Sequence, residues 1–459
     1  MRSGRLIALV LLVVGVLVAG CSEESNPPDP TIGEWQGAIE IPGQPLPVGV
    51  TFTKDGTGTI DIPLQGTAAQ PLKDVKSSRD GVEWAIPDVP GDPKFKGRYD
   101  SGADKITGDF TQSGQSFPLS MQRGKVAQLN RPQEPKPPYP YQSEDVGYSN
   151  GAIKIAGTLT KPQGNGPFPA VLLITGSGPQ DRNEELMGHK PFLLLADTLT
   201  RAGYAVLRAD DRGVGGTGGK LDDANYDDLA ADAAAGVSFL RGRADIDKNR
   251  VGLLGHSEGG YLAPKVAAKP DSGVAFVISM AGPSVAGRDV LIEQNRVILA
   301  AGGATPEEIE TQVRYVSDWS DFLAKGLPAA AKQIQLRHNR TLPADQQQSE
   351  AAMDAMNSRY MAAFLAYDPG PDLSALRIPV FAFYGDKDLQ VPPAQSAQRM
   401  REVLAANPDQ TVRVYPGLNH LMQPAPTGQL SEYTTIETTI APEVLTDITG
   451  WLTQRFPPK

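Results

Sequence analysis

Cysteine occurs only once in this sequence of 459 residues, as Cys21 near the N-terminus. A single cysteine cannot form a disulfide within the chain, and it leaves no other thiol for catalysis or metal binding. Histidine is also scarce, with four residues, so few side chains are candidates for a general base. The formal net charge is −10, and no basic cluster occurs. We therefore expect no nucleic-acid partner.

The N-terminal apolar run at residues 6–19 is too short for an ordinary membrane-spanning helix. It follows Arg2 and Arg5 and ends in small residues before Cys21, which resembles a bacterial lipoprotein signal. The resemblance implies a signal peptide at 1–20, lipidation at Cys21, and export to the cell envelope as a membrane-anchored protein. A plain secretory signal with an incidental cysteine is the alternative.

The next part of the chain divides by composition into a tether, a β domain and a linker. Residues 21–32 are polar and contain proline, which is typical of a flexible tether. Residues 33–125 alternate apolar and polar positions in short runs, and this predicts a small antiparallel β domain. That segment contains no histidine, and we expect a spacer or ligand-binding module. Five prolines within 131–141 predict a stiff connector, so the linker is placed at 126–144.

Residues 145–459 alternate continuous apolar runs with helical patterns, which predicts a mostly parallel sheet with helices on both faces. The predicted strands lie at 170–174, 205–208, 251–254, 274–280, 380–384 and 411–415. The predicted helices around them lie at 191–202, 226–240 and 442–455. Helical spacing and a capping box beginning at Thr305 predict an all-helical insertion at about 283–372.

The segment Gly255-His256-Ser257-Glu258-Gly259 follows a predicted strand and has the Gly-x-Ser-x-Gly pattern of a nucleophile elbow. Such a serine lies in a tight strand-to-helix turn, where larger side chains at both glycine positions would collide with neighbouring elements. The turn exposes the Ser257 hydroxyl and directs the Glu258 N–H towards a developing oxyanion. Because so short a pattern recurs by chance, its interpretation depends on the rest of the chain.

A serine hydroxyl is a weak nucleophile and needs a general base that is itself oriented by an acid. His420 is the candidate base, because it lies in a loop that follows the predicted strand at 411–415. Structural or surface roles are expected for the other histidines, His189, His256 and His338.

The acid is expected between the nucleophile and the base, after a strand. Asp386 and Asp388 both follow the predicted strand at 380–384, and the pattern Gly-x-x-Asp-x-x-Val-Pro favours Asp388. The second oxyanion donor is expected in the glycine-rich loop that follows the strand at 170–174. There the N–H of Ser177 is the first choice and that of Gly178 the alternative.

Five motifs in this order resemble those of bacterial α/β-hydrolases of the serine carboxylesterase type, close to dienelactone-hydrolase-like and serine-aminopeptidase-like members. The motifs are Gly176-Ser177-Gly178-Pro179-Gln180-Asp181-Arg182, Asp211-Arg212-Gly213-x-Gly215, the elbow, Gly385-x-x-Asp388-x-x-Val391-Pro392 and Asn419-His420. The resemblance implies an α/β-hydrolase fold in which the 283–372 insertion is a helical cap. True dienelactone hydrolases use a cysteine nucleophile, and this chain departs from them at Ser257.

We predict a carboxylesterase that hydrolyses short or medium acyl esters through an acyl-enzyme, without a metal or organic cofactor. Its predicted site comprises the catalytic residues Ser257, Asp388 and His420 and the oxyanion-hole residues Ser177 and Glu258. The expected partners are a small-molecule acyl ester and, through the lipid anchor, a membrane. A peptidase or amidase with the same triad is the main alternative. A lipid-tethered binding protein with a degenerate hydrolase fold is a further one.

Overall fold

The computed structural model describes residues 29–41, 45–65, 67–87, 89, 91–127, 129–343 and 346–458. The predicted signal peptide at 1–20 and the lipidation site at Cys21 lie outside the described residues. Within those ranges, none of the helices combines the length and the hydropathy needed to cross a membrane. The chain divides into two units, and each is described by itself.

The first unit comprises Met1–Asp61 and Ala69–Val126 and is built on an antiparallel β-sheet, as predicted. Its described strands are β1 Gly33–Ile39, β2 Leu46–Phe52, β3 Gly58–Ile62, β4 Thr67–Pro71, β5 Lys73–Ser77, β6 Val82–Ala85, β7 Lys94–Asp100, β8 Lys105–Gln112 and β9 Gln115–Arg123. They are ordered β4-β3-β2-β1-β9-β8-β7-β6-β5. Val48, Val50 and Phe52, which the alternation places on one face, are all buried. The pattern of period two therefore reflects a sheet with one packed face.

The second unit comprises Ile62–Ala68 and Ala127–Lys459 and contains a mixed sheet. Its described strands are β10 Gln142–Asn150, β11 Ile153–Lys161, β12 Phe168–Ile174, β13 Ala205–Ala209, β14 Ile246–His256, β15 Val277–Met280, β16 Val380–Gly385 and β17 Gln410–Tyr415. They are ordered β10-β11-β13-β12-β14-β15-β16-β17. The neighbours from β13 to β17 are parallel, whereas β10 and β11 pair antiparallel with each other, and β11 pairs antiparallel with β13.

The strands β10 and β11 are absent from the sequence prediction of a mostly parallel sheet, and their antiparallel pairing makes the sheet mixed. β10 is the edge strand, and its residues alternate between exposed and partly buried positions. An edge strand buries little surface and has few apolar residues, so its sequence lacks the continuous apolar run that marks the central strands. Its first residues also fall within the predicted linker at 126–144.

Helices cover both faces of the mixed sheet. The described helices are α1 Pro191–Arg201, α2 Tyr226–Arg241, α3 Gly259–Ala267, α4 Gly287–Ala301, α5 Pro306–Ala324, α6 Pro328–Asn339, α7 Glu350–Met356, α8 Arg359–Ala366, α9 Gly370–Ala375, α10 Pro393–Val403 and α11 Pro442–Arg455. Alternate residues of β12 enter different apolar clusters, with Leu172 in one and Leu173 in the other. Helices α2, α3 and α10 pack in the first cluster, and α1 and α11 in the second.

Helices α4 to α8 lie between β15 and β16 in the chain, and we call them the helical insertion. They have a small apolar cluster of their own, which includes Trp319, Leu323 and Leu365. At the start of α5 the Thr305 side chain accepts a hydrogen bond from the Glu308 N–H, and the Glu308 carboxylate accepts one from the Thr305 N–H. This is the capping box that the sequence predicts.

Candidate active site

Ser257 lies in the sharp turn between β14 and α3. Its φ is +51°, a left-handed conformation that is strained for a serine. A Cβ at Gly255 would lie 2.0 Å from the Gly259 carbonyl oxygen, and a Cβ at Gly259 would lie 2.1 Å from that of Ile174. Because backbone atoms approach so closely at both positions, only glycine fits them. The turn therefore has the geometry expected of a nucleophile elbow.

His420 and Asp388 lie together at the carboxyl end of the sheet. The His420 Nδ1 atom lies 2.8 Å from Asp388 Oδ2, and both side chains are buried. The other carboxylate oxygen, Asp388 Oδ1, accepts hydrogen bonds of 2.8 Å from the N–H groups of Gln390 and Val391. These bonds hold the carboxylate so that one oxygen is directed at the imidazole. Asp388 can therefore orient His420 and stabilise its protonated form.

Asp386, the competing carboxylate, has a different partner. Its Oδ1 atom accepts a hydrogen bond of 2.6 Å from the Gly417 N–H, in the loop that carries His420. That loop is also held by Asn419, whose Oδ1 accepts hydrogen bonds from the N–H groups of Leu421 and Gln423. Asp386 therefore stabilises the histidine loop, whereas Asp388 contacts the histidine itself.

The Ser257 hydroxyl and the Nε2 atom of His420 make no hydrogen bond with any described residue. The two residues nevertheless lie in the same region of the fold. His256 is adjacent to Ser257 in the chain, and the centroid of its ring lies 4.9 Å from that of the His420 ring. Catalytic hydrogen bonds are often long or poorly aligned without substrate and shorten when it binds. The arrangement is therefore compatible with His420 acting as the base for Ser257.

The glycine-rich loop after β12 lies directly against the elbow. A Cβ at Gly176 would lie 3.3 Å from the Ser257 Cβ. The Gly176 N–H donates to Glu184 Oε1 at 2.6 Å, and the Gly178 N–H donates to the Tyr360 hydroxyl at 3.1 Å. Among residues that the structure describes, the intervening Ser177 N–H has no hydrogen-bond partner. Of the two donors left open by the sequence, Ser177 is therefore the free one.

The Glu258 N–H is also without a partner in the described part of the chain. It belongs to the residue after Ser257 and precedes the first turn of α3. Two unpartnered N–H groups, those of Ser177 and Glu258, thus flank the elbow on separate segments. Such a pair can stabilise the negative oxygen of a tetrahedral intermediate.

A second buried acid–histidine pair, Glu184 and His256, supports the loop and the elbow. Glu184 Oε1 lies 2.8 Å from His256 Nδ1, and His256 Nε2 lies 3.3 Å from the His420 carbonyl oxygen. Both partners of the ring are acceptors, so a doubly protonated imidazole satisfies both. Burial lowers the pKa of His256, but the Glu184 carboxylate outweighs this effect and raises the pKa above its ordinary value.

Replacing Glu184 by glutamine should destabilise the protein most at mildly acidic pH. Glutamine retains an oxygen for the Gly176 N–H but loses the charge that favours protonated His256. Because the folded-state pKa of His256 is raised, its stabilisation is complete below the ordinary histidine pKa of about 6.5 and disappears as the pH rises through the folded-state value. Urea denaturation at pH 6 should show a loss of about 1–2 kcal/mol that decreases towards pH 9. A difference independent of pH would contradict a charged His256.

The loop is further held by two aspartates that follow β13. Asp211 accepts hydrogen bonds from the Thr175 hydroxyl at 2.8 Å and from the Gln180 N–H at 2.9 Å. Asp210 makes a bidentate ion pair with Arg182, with N–O distances of 2.9 and 2.6 Å. Such paired hydrogen bonds fix the geometry of both partners. The two aspartates therefore hold the glycine-rich loop and are not members of the predicted triad.

The two remaining histidines have partners other than the predicted triad residues. His189 is fully buried, and its ring nitrogens face the Thr439 hydroxyl and the Tyr433 carbonyl oxygen. Burial lowers its pKa to about 4, which keeps it neutral near pH 7. His338 stacks on Tyr315 in the helical insertion, with ring centroids 3.8 Å apart. Both have the structural roles expected from the sequence.

Within the described ranges, no group of three or more His, Cys, Asp or Glu side chains is arranged to hold a metal ion.

A family model described as serine aminopeptidase, S33, matches residues 190–423, which is just over half of the chain. The chain belongs to this family. S33 members are α/β-hydrolases, and the matched segment includes Ser257, Asp388 and His420. The mixed sheet and the flanking helices of the second unit are consistent with that fold.

Several curated proteins are similar to this S33 family member. Esterase EstD of Thermotoga maritima is 28% identical over 290 residues, covering 62% of this chain and 61% of the esterase. The putative hydrolase YtaP of Bacillus subtilis is 31% identical over 139 residues, 27% of this chain and 46% of that protein. Human dipeptidyl peptidase 8 is 37% identical over 125 residues, 25% of this chain and 14% of the peptidase. Each match thus spans less than two thirds of the relative.

Solved structures of hydrolases are also similar to this chain. An esterase of Pyrococcus furiosus matches with a TM-score of 0.44 and 15% identity, covering 71% of this chain and 97% of that chain. Proline iminopeptidase of Mycobacterium smegmatis matches with a TM-score of 0.43 and 16% identity, covering 68% and 98% of the two chains.

Sequence reasoning missed three side chains around the site, those of Glu184, Tyr226 and Tyr360. Glu184 and Tyr226 are separated from Ser257 by many residues, and Tyr360 lies in the helical insertion. For the two tyrosines, one signal was available: the acidic residue Glu258 follows the nucleophile, and a carboxylate buried there needs hydrogen-bond partners. Their identities could not be read from spacing, because they come from three separate elements.

Proposed function

We propose that this S33 family member is a serine hydrolase that cleaves carboxylic esters of short or medium acyl chains through an acyl-enzyme. The observation that carries the proposal is the buried hydrogen bond of 2.8 Å between His420 and Asp388, beside a serine with a φ of +51°. The unpartnered N–H groups of Ser177 and Glu258, as described above, supply the oxyanion hole. Neither a metal nor an organic cofactor is needed for this chemistry.

In the first half of the reaction, His420 accepts the Ser257 proton as the hydroxyl oxygen attacks the acyl carbonyl carbon. The N–H groups of Ser177 and Glu258 stabilise the resulting oxyanion, and Asp388 stabilises the imidazolium. The protonated His420 then donates its proton to the leaving alcohol as the carbon–oxygen bond breaks. Water, deprotonated by His420, then attacks the acyl-enzyme. The protonated His420 returns this proton to the Ser257 oxygen as the acyl bond breaks, which releases the acid and restores free Ser257.

The leading alternative is cleavage of a peptide or other amide bond by the same residues. The family name and the match to human dipeptidyl peptidase 8 favour it, whereas the longer match to the Thermotoga esterase favours ester hydrolysis. The triad chemistry is common to both reactions and does not distinguish them. We place esters first because that match covers the larger part of the chain.

We also propose that the protein acts outside the cytoplasm as a lipoprotein of the cell envelope. Support comes from the sequence alone, namely the short apolar run and the small residues that precede Cys21. The substrate would then be a small acyl ester that reaches the envelope, and the lipid would attach the enzyme to a membrane.

A substrate panel at one pH tests the proposed reaction. The wild-type protein should hydrolyse p-nitrophenyl acetate and butyrate with kcat/KM at least about 100-fold above that for aminoacyl p-nitroanilides, and the palmitate ester should be a poorer substrate. Preferential cleavage of the anilides would replace the esterase proposal with the aminopeptidase. No turnover of any member, together with no labelling by a fluorophosphonate, would favour a degenerate hydrolase.

A further inference from the structure

The side chain of Glu258 has an unusual environment for a carboxylate. It is 4% exposed, and no basic side chain in the described part of the chain pairs with it. Instead, the Tyr226 hydroxyl donates to Oε1 at 2.5 Å, and the Tyr360 hydroxyl donates to Oε2 at 2.6 Å. A buried carboxylate is costly unless hydrogen bonds compensate, so these two phenols determine how the Glu258 side chain is oriented.

Tyr360 makes a second hydrogen bond that extends to the other side of the elbow. Its hydroxyl oxygen accepts from the Gly178 N–H at 3.1 Å. The hydroxyl thus contacts both segments that carry the free N–H groups. On one side is the peptide next to Ser177, and on the other is the side chain of Glu258 itself. The Tyr360 hydroxyl is therefore placed to control the distance between the two oxyanion donors, the N–H groups of Ser177 and Glu258.

Tyr360 belongs to the helical insertion, so its contacts connect the insertion to the site. It lies in α8, at the end of the helical insertion, whereas Gly178 and Glu258 belong to the loops that follow β12 and β14. The neighbouring residue, Arg359, makes exposed contacts, an ion pair of 3.4 Å with Asp228 and a hydrogen bond of 3.2 Å to the Asp223 carbonyl oxygen. Such exposed pairs contribute little. The hydrogen bonds of Tyr360, in contrast, connect the insertion to both Gly178 and the Glu258 side chain.

We infer that Tyr360 is a positioning residue through which the helical insertion completes the oxyanion hole. The inference rests on the proposed function, and it adds that the hole has its working geometry only while the insertion is docked. Glu184 holds the loop from the Gly176 side and Tyr360 from the Gly178 side, and the Ser177 N–H between them is left without a partner among the described residues. Movement of the insertion would then change the geometry of the oxyanion hole as well as the access of substrate to Ser257.

The test compares Tyr360→Phe with two matched phenol deletions. Tyr367→Phe is the control, because Tyr367 directly follows α8 and its hydroxyl bonds Asp372 at 2.7 Å and the Tyr261 carbonyl oxygen at 3.4 Å, with no hydrogen bond to Gly178 or Glu258. Tyr226→Phe removes the other hydrogen bond to Glu258 and leaves the Gly178 contact intact. Each change removes one oxygen atom and keeps the ring.

Tyr360→Phe should lower kcat for p-nitrophenyl butyrate about 10- to 100-fold, somewhat less than the loss of a complete oxyanion donor. KM should change less than about threefold, because the ground-state ester does not use the hole. Affinity for a tetrahedral alkylboronate should fall in parallel with kcat/KM. Tyr226→Phe should have a smaller effect, and Tyr367→Phe should leave kcat within about twofold even if its melting temperature falls.

A kcat for Tyr360→Phe within twofold of wild type, an unchanged boronate affinity, or an equal loss in Tyr367→Phe would overturn the inference.

Amide hydrogen exchange at residue resolution provides a second test. It is measured on the unmodified protein, so it depends neither on the folding of a variant nor on enzymatic activity. The Gly178 amide should exchange more slowly than that of Ser177, and equal exchange would overturn the inference. If the wild type hydrolysed no ester, the proposed function would fail, and the exchange experiment would still decide whether the Gly178 N–H is held.

Discussion

Replacing Ser257 by alanine should abolish ester hydrolysis, with a fall in kcat of about 10⁴- to 10⁶-fold, as expected when the nucleophile of a serine triad is lost. Alanine removes the hydroxyl that forms the acyl-enzyme, while the buried His420–Asp388 pair and the free N–H groups remain. The variant should also lose labelling by a fluorophosphonate probe. Turnover of p-nitrophenyl butyrate and gel fluorescence of the labelled protein measure the two effects.

Ser284→Ala is the matched control for this prediction. Ser284 is a serine of the second unit that is buried, and its hydroxyl donates to the Ser396 carbonyl oxygen at 2.7 Å. The control should retain labelling and turnover even if it loses about 1 kcal/mol of stability from the missing hydrogen bond. Substantial hydrolysis by Ser257→Ala, or labelling that persists in it, would mean that another residue is the nucleophile.

Replacing Asp388 by asparagine should lower kcat about 10⁴-fold, the effect of the corresponding change in a serine triad. Oδ1 accepts from two backbone N–H groups, so the asparagine oxygen would take that position and its NH₂ would face His420. An NH₂ donor requires an unprotonated Nδ1, which places the imidazole proton on Nε2. That tautomer cannot accept the Ser257 proton. Steady-state kinetics across pH 6–9 measures the loss.

Asp386→Asn separates this role from a general effect of removing an acidic residue nearby. Asp386 accepts one hydrogen bond from the Gly417 N–H, and an asparagine oxygen can also accept it. We therefore expect kcat within about tenfold of wild type, with any loss arising from a less rigid histidine loop. Equal losses in the two variants would show that the acid is misassigned.

Much of the second unit could be predicted from the sequence, because many of its helices and strands carry a recognisable pattern of apolar residues within the element itself. Helix α11 coincides with the prediction at 442–455, since it begins at Pro442 and its apolar positions recur with helical spacing. Strand β16 is buried at every residue and was recognisable as a continuous apolar run. Strand β10 was missed for the opposite reason, because an edge strand carries no such signal.

The sequence by itself determined the chemistry available here, while only the tertiary structure decided its arrangement. One cysteine, a glycine-flanked serine and a histidine after a late strand leave few candidates for a nucleophile and a base, and they predict serine chemistry. Which of two neighbouring aspartates contacts His420 depends on the loop after β16. Which N–H groups stay free depends on Glu184 and Tyr360, which are distant in sequence. Hydrogen-bond partners of this kind depend on spatial proximity, and local periodicity carries no information about it.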